Sequence, residues 1–384
     1  MNRILATIVV AQFFCTSVWF ATNAIMPDLI QGYRLSGAYL AHLTSAVQLG
    51  FISGTLLYAL LAVADRFSPS KVFFGSAVLA ALFNLAVSIE GASVAGLLLF
   101  RFLTGFFLAG IYPVGMKIAS DYFQKGLGPS LGFLVGALVL GTALPHALKT
   151  VGAQLPWKYV VYATSTLALL GGGAMRLLVP DGPYRRKGQA LQFSAFLKGF
   201  GNKTFRAAAG GYFGHMWELY AFWAFVPVML SAYQQKFPAA AVPVPLLSFV
   251  IIASGGLACV ASGLLSQRLG AKKVATAALA LSGLCCLASP LFLMNSSIVL
   301  LVLFLLFWGL VVVADSPLFS TLVAQHAPEA TRGTSLTIVN CIGFSITIIS
   351  IQLLSFLSVH TNVQYIFMLL AIGPVAGLIA LLKK

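Results

Sequence analysis

Charged side chains are scarce in this chain of 384 residues. Asp, Glu, Lys and Arg together make up 8% of it, and 60% of its residues are hydrophobic. A soluble domain has about 25% charged residues, so this composition excludes a soluble globular protein. No stretch between the hydrophobic segments is long enough to form a soluble domain of its own.

The sequence also lacks the residue groupings that enzymes and metal sites require. Its five cysteines all fall within hydrophobic segments, which argues against a disulfide framework or a metal cluster. His215 and Glu218 have a spacing that metal ligands can use, but no further ligands accompany them. No nucleophile stands beside a base, and no nucleotide-binding loop is present. We therefore expect no enzyme, no cofactor and no metal site.

Long hydrophobic runs fill the rest of the sequence. About 20 apolar residues cross the hydrocarbon core of a bilayer as a helix, and runs of this length recur from end to end. They are continuously apolar and do not alternate as barrel strands do, so they predict helices. We predict twelve membrane-spanning helices at 4–28, 38–62, 72–89, 94–116, 129–149, 157–178, 205–232, 244–265, 273–293, 297–322, 333–357 and 362–382.

The net charge of +15 reflects membrane topology and does not predict nucleic-acid binding. If the N-terminus is cytoplasmic, most Lys and Arg residues lie in cytoplasmic loops, and the loops of the opposite side contain only Arg34, Lys149, Lys158 and Lys236. This asymmetry places both termini in the cytoplasm by the positive-inside rule. The short loops and the lack of targeting extensions suit a bacterial inner membrane.

Two halves of the chain repeat one pattern. A charged segment, 180–204, separates two groups of six predicted spans, 1–179 and 205–384, and reads as a cytoplasmic linker. "ADRFSPSKV" after the second span matches "SQRLGAKKV" after the eighth. "TGFFLAGIYP" in the fourth span matches "WGLVVVADSP" in the tenth. Repeats of six spans are typical of secondary transporters, in which one half rocks against the other around a site near the midplane.

Three motifs carry a resemblance to a known family. "GLLSQRLGAKK" (Gly263 to Lys273) resembles the loop motif of the major facilitator superfamily, Gly-x-Leu-x-Asp-Arg-x-Gly-Arg-Lys, with Gln267 in place of the aspartate. "LAVADRFSPSK" keeps Asp65 and Arg66 of that motif, and "RFLTGFFLAG" resembles the family's fourth-span motif. The resemblance covers the whole chain, but signatures of drug antiporters, sugar porters, peptide transporters and nitrate porters are absent.

The resemblance implies an all-α membrane protein of twelve helices in two pseudo-symmetric six-helix bundles. It implies that the first, fourth, seventh and tenth spans line a central cavity. It also implies that Asp65, Arg66 and Arg268 form a cytoplasmic latch between the halves. For Arg268 taken alone, the alternative is that it lies in a solvated loop and forms no latch.

Three ionisable residues lie deep within predicted spans, where a charge costs several kcal/mol. Counting along the helices puts both Arg101 and Glu218 about 10 Å below the outer surface. We predict that they stand on facing walls of the cavity and either form an ion pair or share substrate binding. His215, one turn before Glu218, lies on the same face and is a candidate proton relay. The alternative is that His215 and Glu218 only hydrogen-bond to each other or to neighbouring helices.

Further candidates are polar or aromatic residues within the spans. Asp315, near the cytoplasmic end of the tenth span, suggests an inner gate or a partner for a loop arginine. Gln48 and Asn23 belong to partly polar stripes that serve as ligands or as contacts between helices. Tyr112 shares a helix face with Arg101. Trp217 could stack on a flat substrate, although packing is the likelier role for such an aromatic residue.

These residues predict a proton-coupled secondary transporter for a small organic molecule, functional as a monomer in the bilayer. Arg101 favours an organic anion slightly, because its planar fork suits a carboxylate. The alternative is proton-coupled efflux of amphipathic or cationic compounds, with Glu218 attracting the cation. A sensor or scaffold that uses the same fold without transport is a third, less favoured possibility.

Overall fold

The hydrophobic segments of the sequence form long helices. The computed structural model describes residues 3–123, 127–185, 199–328 and 332–383, and within these ranges the chain contains helices and turns but no strand. The chain divides into two compact units, Met1–Leu191 and Gln192–Lys384. The boundary lies within the predicted linker 180–204, of which residues 186–198 are outside the described ranges.

The described residues of the N-terminal unit form ten helices. They are α1 (Arg3–Thr16), α2 (Ala21–Ala24), α3 (Met26–Tyr33), α4 (Tyr39–Leu60), α5 (Val63–Arg66), α6 (Pro69–Ala86), α7 (Val94–Leu108), α8 (Tyr112–Tyr122), α9 (Leu127–Val151) and α10 (Lys158–Leu178). Helix α1 packs against α9 and α10, and α7 packs against α4 and α6.

The C-terminal unit contains eight α-helices within the described ranges. They are α11 (Lys203–Lys236), α12 (Val244–Leu269), α13 (Ala271–Leu293), α14 (Ile298–Ala314), α15 (Ser316–His326), α16 (Arg332–His360), α17 (Val363–Ile366) and α18 (Ile372–Leu382), with a 3₁₀ segment (Phe367–Ala371) between the last two. Helix α11 packs against α16 and α18, and α14 packs against α12 and α13.

Three predicted spans are interrupted near a proline. The first breaks after Thr16 into α1, α2 and α3, and Pro27 lies in the first turn of α3. The fourth breaks between α7 and α8, just before Pro113, and the tenth breaks at Asp315, just before Pro317. Proline has no N–H group and suits the first turn of a helix, so each of these helices restarts at its proline.

Ten helical segments of the described residues are long and apolar enough to cross a membrane. The two other predicted spans are the first, which is broken, and the seventh, which is α11. Helix α11 has 34 residues and measures about 50 Å at 1.5 Å per residue, longer than the bilayer core. It contains polar residues such as His215 and Glu218, which lower its mean hydropathy.

Glycines allow the second and fourth spans to touch backbone to backbone. A Cβ atom added to Gly50 on α4 would overlap the carbonyl oxygen of Phe102 on α7, and one added to Gly105 on α7 would overlap that of Val47 on α4. Small residues at a helix crossing permit such an approach and gain packing energy from it.

We expect Gly50→Ala to destabilise the N-terminal unit, because the added methyl group forces α4 and α7 apart. The cost should be about 1–3 kcal/mol, the usual range for overpacking, and should lower the Tm of the purified protein. Gly173→Ala on α10 is the matched control, since a Cβ atom there meets nothing within 4 Å. Equal Tm values for the two variants would show that the crossing tolerates separation.

Candidate functional site

Glu218 lies on α11 and is enclosed within the C-terminal unit. Its side chain accepts three hydrogen bonds, from Ser282 Oγ at 2.8 Å, Cys286 Sγ at 3.2 Å and Trp308 Nε1 at 2.6 Å. The residue is 1% exposed. All three donors are neutral, so among the described residues the carboxyl group has hydrogen-bond partners but no cationic partner.

His215, one turn before Glu218, forms a separate pair. Its Nδ1 atom lies 2.8 Å from Oδ1 of Asp315, and both side chains are 1% exposed. The other imidazole nitrogen, Nε2, has no hydrogen-bond partner in the described part of the chain. The contact between Nδ1 and Oδ1 is within ion-pair distance, but neither oxygen of Asp315 has a partner there with hydrogen-bond geometry. Asp315 therefore faces the imidazole of His215, where the sequence had suggested a gate or a partner for a loop arginine.

Arg101 on α7 holds the broken first span together. Its Nη1 atom donates to the carbonyl oxygen of Val18 at 3.0 Å and to Oδ1 of Asn84 at 3.3 Å, and Nη2 donates to the carbonyl oxygen of Trp19. Val18 and Trp19 lie between α1 and α2, where carbonyl groups lose their helical partners. The guanidinium is fully buried and satisfies these carbonyls, while its Nε atom has no partner among the described residues.

The clusters around Arg101 and Glu218 occupy equivalent places in the two repeats. The sequence offset that relates Pro27 to Pro227 also relates Val18 to Glu218. The offset that relates the two loop motifs also relates Asn84 to Cys286. In each unit the first, third and fourth spans of the repeat thus meet at one buried ionisable group. This group is the guanidinium of Arg101 in the N-terminal unit and the carboxyl group of Glu218 in the C-terminal unit.

Three polar candidates of the N-terminal unit lie near helix breaks or between helices. Asn23 on α2 donates through Nδ2 to Oγ1 of Thr44 at 3.0 Å, so it links the first and second spans. Gln48 on α4 is fully buried, and neither atom of its amide has a hydrogen-bond partner in the described ranges. Tyr112 is buried as the first residue of α8.

Trp217 points toward the last span of the C-terminal unit. Its Nε1 atom donates to the carbonyl oxygen of Leu369 at 3.2 Å, and its Cβ atom lies close to Gly373. These contacts pack Trp217 against the end of the C-terminal unit, and a role in substrate binding stays a prediction.

A family model described as the Major Facilitator Superfamily matches residues 8–351 of the chain. The chain belongs to the major facilitator superfamily. It is therefore an integral multi-pass membrane protein, and the predicted all-α transporter fold is confirmed. The prediction that the protein is a transporter and not an enzyme is confirmed with it. Among the described residues, no group of three or more His, Cys, Asp or Glu side chains could hold a metal ion.

Two transporters are similar to parts of this chain. The 4-hydroxybenzoate transporter PcaK of Pseudomonas aeruginosa is 31% identical over 185 residues, which is 44% of this chain and 40% of that protein. The 3-(3-hydroxy-phenyl)propionate transporter of Escherichia coli is 28% identical over 153 residues, 40% of this chain and 36% of that protein. The matched region thus spans well under half the length of either relative.

A solved structure shows the same fold over nearly the whole chain. The crystal structure of the human organic anion transporter MFSD10 (TETRAN) superposes with a TM-score of 0.77 and covers 99% of both chains. The sequence identity is 14%, so this likeness concerns the fold alone.

The superfamily loop motif of the N-terminal unit forms ion pairs within that unit. Lys117 on α8 lies 3.0 Å from Oδ1 of Asp65 and 3.5 Å from Oδ2 of Asp121. Arg66 and Arg268 are exposed on the last turns of α5 and α12. The latch role of Asp65, Arg66 and Arg268 therefore stays a prediction.

Sequence reasoning missed the partners of the buried charged groups. Ser282 and Cys286, four residues apart on α13, share a helix face, and Trp308 lies in the repeated segment of the tenth span. Asn84 is an isolated polar residue in the third span. The repeat offset was the available signal, because it relates these positions to one another, but it does not show which side chains touch.

Proposed function

We propose that the protein is a proton-coupled secondary transporter that moves a small organic anion across the membrane by alternating access. The observation that carries this proposal is the buried Glu218 carboxyl group, which has three neutral hydrogen-bond donors and no cationic partner among the described residues. Intramembrane acids of this kind mark proton pathways in pumps and transporters.

The energetics of burial explain why such an acid can couple protons to a conformational change. An ionised carboxylate costs several kcal/mol to bury, and three neutral hydrogen bonds offset only part of this cost. A bound proton removes the charge. If the site is dry in one conformation and wet in another, proton binding favours the dry conformation and proton release favours the wet one. Glu218 thereby ties the proton gradient to the transport cycle.

The similar transporters support an organic anion as the substrate. The names of both contain an aromatic carboxylic acid with a hydroxyl group, 4-hydroxybenzoate in one and 3-(3-hydroxy-phenyl)propionate in the other. These names favour an anion over the amphipathic or cationic compounds of the alternative. We extend the anion class to this chain as part of the proposal, because each alignment covers a minority of the relative.

We further propose that the chain functions as a monomer in a bacterial inner membrane, with two bundles, 1–179 and 205–384, joined by a cytoplasmic linker, 180–204. The two repeats within one chain support a complete pathway in each molecule. The distribution of Lys and Arg supports cytoplasmic termini.

The test uses purified protein in liposomes that contain a pH-sensitive dye. With the external medium more acidic than the lumen, 4-hydroxybenzoate or 3-(3-hydroxyphenyl)propionate should enter together with protons and acidify the lumen faster than in protein-free liposomes. The protein-free liposomes correct for passive entry of the undissociated acids. A quaternary ammonium dye should produce no such signal. Proton movement driven by the quaternary ammonium dye and not by the two acids would support the efflux alternative and contradict this proposal.

A further inference from the structure

The imidazole of His215 has one nitrogen engaged and one that lacks a partner. Its Nδ1 atom lies 2.8 Å from Oδ1 of Asp315, which orients the ring, while Nε2 is buried without a hydrogen-bond partner among the described residues. A buried polar atom without a partner is costly, and a bound ligand is one way to satisfy it. Among the buried polar atoms without a partner, which include Nε2 of His146, Nε2 of His215 is distinguished by the carboxylate that faces the other nitrogen of its ring.

Asp315 is held in place by the break in the tenth span. It ends α14 and immediately precedes α15, an 11-residue helix with Pro317 in its first turn. The N-terminal end of a helix attracts negative charge, so this position suits an ionised aspartate. The aspartate in turn favours a proton on Nδ1 of His215, because a carboxylate accepts hydrogen bonds and cannot donate one.

Arg101 has its terminal nitrogens committed elsewhere. Nη1 and Nη2 donate to the carbonyl oxygens of Val18 and Trp19 and to Asn84. A substrate carboxylate that took these donors would leave the carbonyl groups of the broken first span unsatisfied. Only Nε of Arg101 is without a partner among the described residues, so the arginine cannot offer its planar fork to a carboxylate, and the anion requires another donor.

We propose that Nε2 of His215 binds the carboxylate of the transported anion and that Asp315 is the positioning residue for this contact. This inference rests on the proposed function for the nature of the ligand. When an ionised Asp315 keeps the proton of neutral His215 on Nδ1, Nε2 carries a hydrogen only in the imidazolium form. The anion therefore binds the imidazolium form, in which Nε2 donates a charge-assisted hydrogen bond to the carboxylate. This hydrogen stays on His215 when the anion leaves, and the proton that drives the transport cycle is the one on Glu218.

Few other titratable groups face this pair. On α11 itself, Tyr212 lies one turn before His215, with ring centroids 6.2 Å apart, and Glu218 lies one turn after it. From α12, the thiol of Cys259 donates to the carbonyl oxygen of Val313, two residues before Asp315. The thiol of Cys286 on α13 donates a hydrogen bond to the carboxyl group of Glu218. Helices α14 and α18 contain no ionisable side chain. Helix α15 contributes Phe319, whose ring centroid lies 6.0 Å from that of His215, and has its one ionisable residue, His326, in its last turn. Helix α16 also packs against α11 and contains Arg332 at its start, Cys341 and, in its last turn, His360.

The experiment measures the KM of substrate counterflow in liposomes with equal pH on both sides, so that no proton gradient contributes. We expect His215→Gln and Asp315→Asn each to raise the KM for 4-hydroxybenzoate by at least about tenfold, the size expected when one charge-assisted hydrogen bond is lost. Because the anion needs a hydrogen on Nε2, the wild-type KM should rise with pH more steeply than the KM of His215→Gln.

The matched control is His146→Gln on α9. His146 is also a buried histidine whose Nε2 atom lacks a partner in the described ranges, but no carboxylate there lies within ion-pairing distance of it. The variant His146→Gln should keep the wild-type KM and its dependence on pH. Because Asp315→Asn removes a charge with little change of shape, folded protein is expected, and Tm values of the variants verify it.

The outcomes separate this inference from the proposed function. Wild-type counterflow of the anion, with an unchanged KM and pH dependence in His215→Gln and Asp315→Asn, would overturn the inference and leave the proposed function intact. Loss of carboxylate binding in both variants, measured by ligand-induced thermal stabilisation, would uphold the inference even if the wild type moved no protons. A wild-type protein that neither binds nor exchanges carboxylates would overturn both.

Discussion

Glu218→Gln is expected to abolish proton-driven accumulation of the substrate while counterflow exchange continues. Glutamine has nearly the same shape, keeps one oxygen to accept the hydrogen bond from Trp308, and presents an amide group to the hydroxyl of Ser282, which can rotate to accept. It cannot bind or release a proton. The ratio of gradient-driven uptake to counterflow should therefore fall at least about tenfold, which corresponds to about 1.4 kcal/mol of lost coupling.

Glu90→Gln is the matched control for this substitution. Glu90 lies outside the membrane-spanning helices and accepts a hydrogen bond from Lys158 at 2.5 Å, and this contact lowers the pKa of its carboxyl group. The same change of chemistry there should leave the ratio of uptake to counterflow unchanged. Glu218→Gln could instead accumulate substrate against a gradient as well as the wild type does. That result would show that Glu218 has a structural role only, in which it connects α11, α13 and α14 as Arg101 connects the spans of the N-terminal unit.

Arg101→Ala is expected to cause the largest loss of stability. The substitution removes the three hydrogen bonds that the charged guanidinium donates to Val18, Trp19 and Asn84. Hydrogen bonds to charged groups contribute about 1.5–3 kcal/mol each, so the total cost should be at least about 3 kcal/mol. Thermal unfolding of the purified protein in detergent measures the effect as a lower Tm.

Two further variants show whether the guanidinium geometry matters. Arg101→Lys keeps the charge but lacks the planar fork, so it should recover only part of the lost stability. Arg176→Ala removes an exposed arginine at the end of α10 and should leave the Tm almost unchanged. If Arg101→Ala instead unfolds at the wild-type temperature and raises the KM for the anion, the arginine binds substrate as the sequence suggested.

The membrane spans follow from composition and periodicity with little help from tertiary structure. Most predicted spans agree with the observed helices to within a few residues, because hydrocarbon thickness sets their length and the backbone must satisfy its hydrogen bonds internally. The first span differs because it breaks at 17–20. Hydropathy does not detect this break, since the residues there are as apolar as their neighbours, and Arg101, which stabilises it, comes more than 80 residues later.

Charge within the spans identified the unusual positions but not their partners. Arg101, His215, Glu218 and Asp315 were all recognisable because ionised groups are costly in hydrocarbon. The sequence did not predict that His215 would pair with Asp315 while Glu218 would receive only neutral donors. Two residues one turn apart on one helix meet different neighbours, and helix packing determines which neighbour each one meets.

By itself, the sequence determined that this protein spans the membrane with helices, contains two related halves and belongs to the class of membrane transporters. These properties depend on local composition and on short motifs, which are visible in one dimension. Only the tertiary structure decided what each buried charge contacts, because those contacts join helices that are far apart in the chain. Within the described residues, Arg101 binds the backbone of the first span, and Nε2 of His215 has no hydrogen-bond partner.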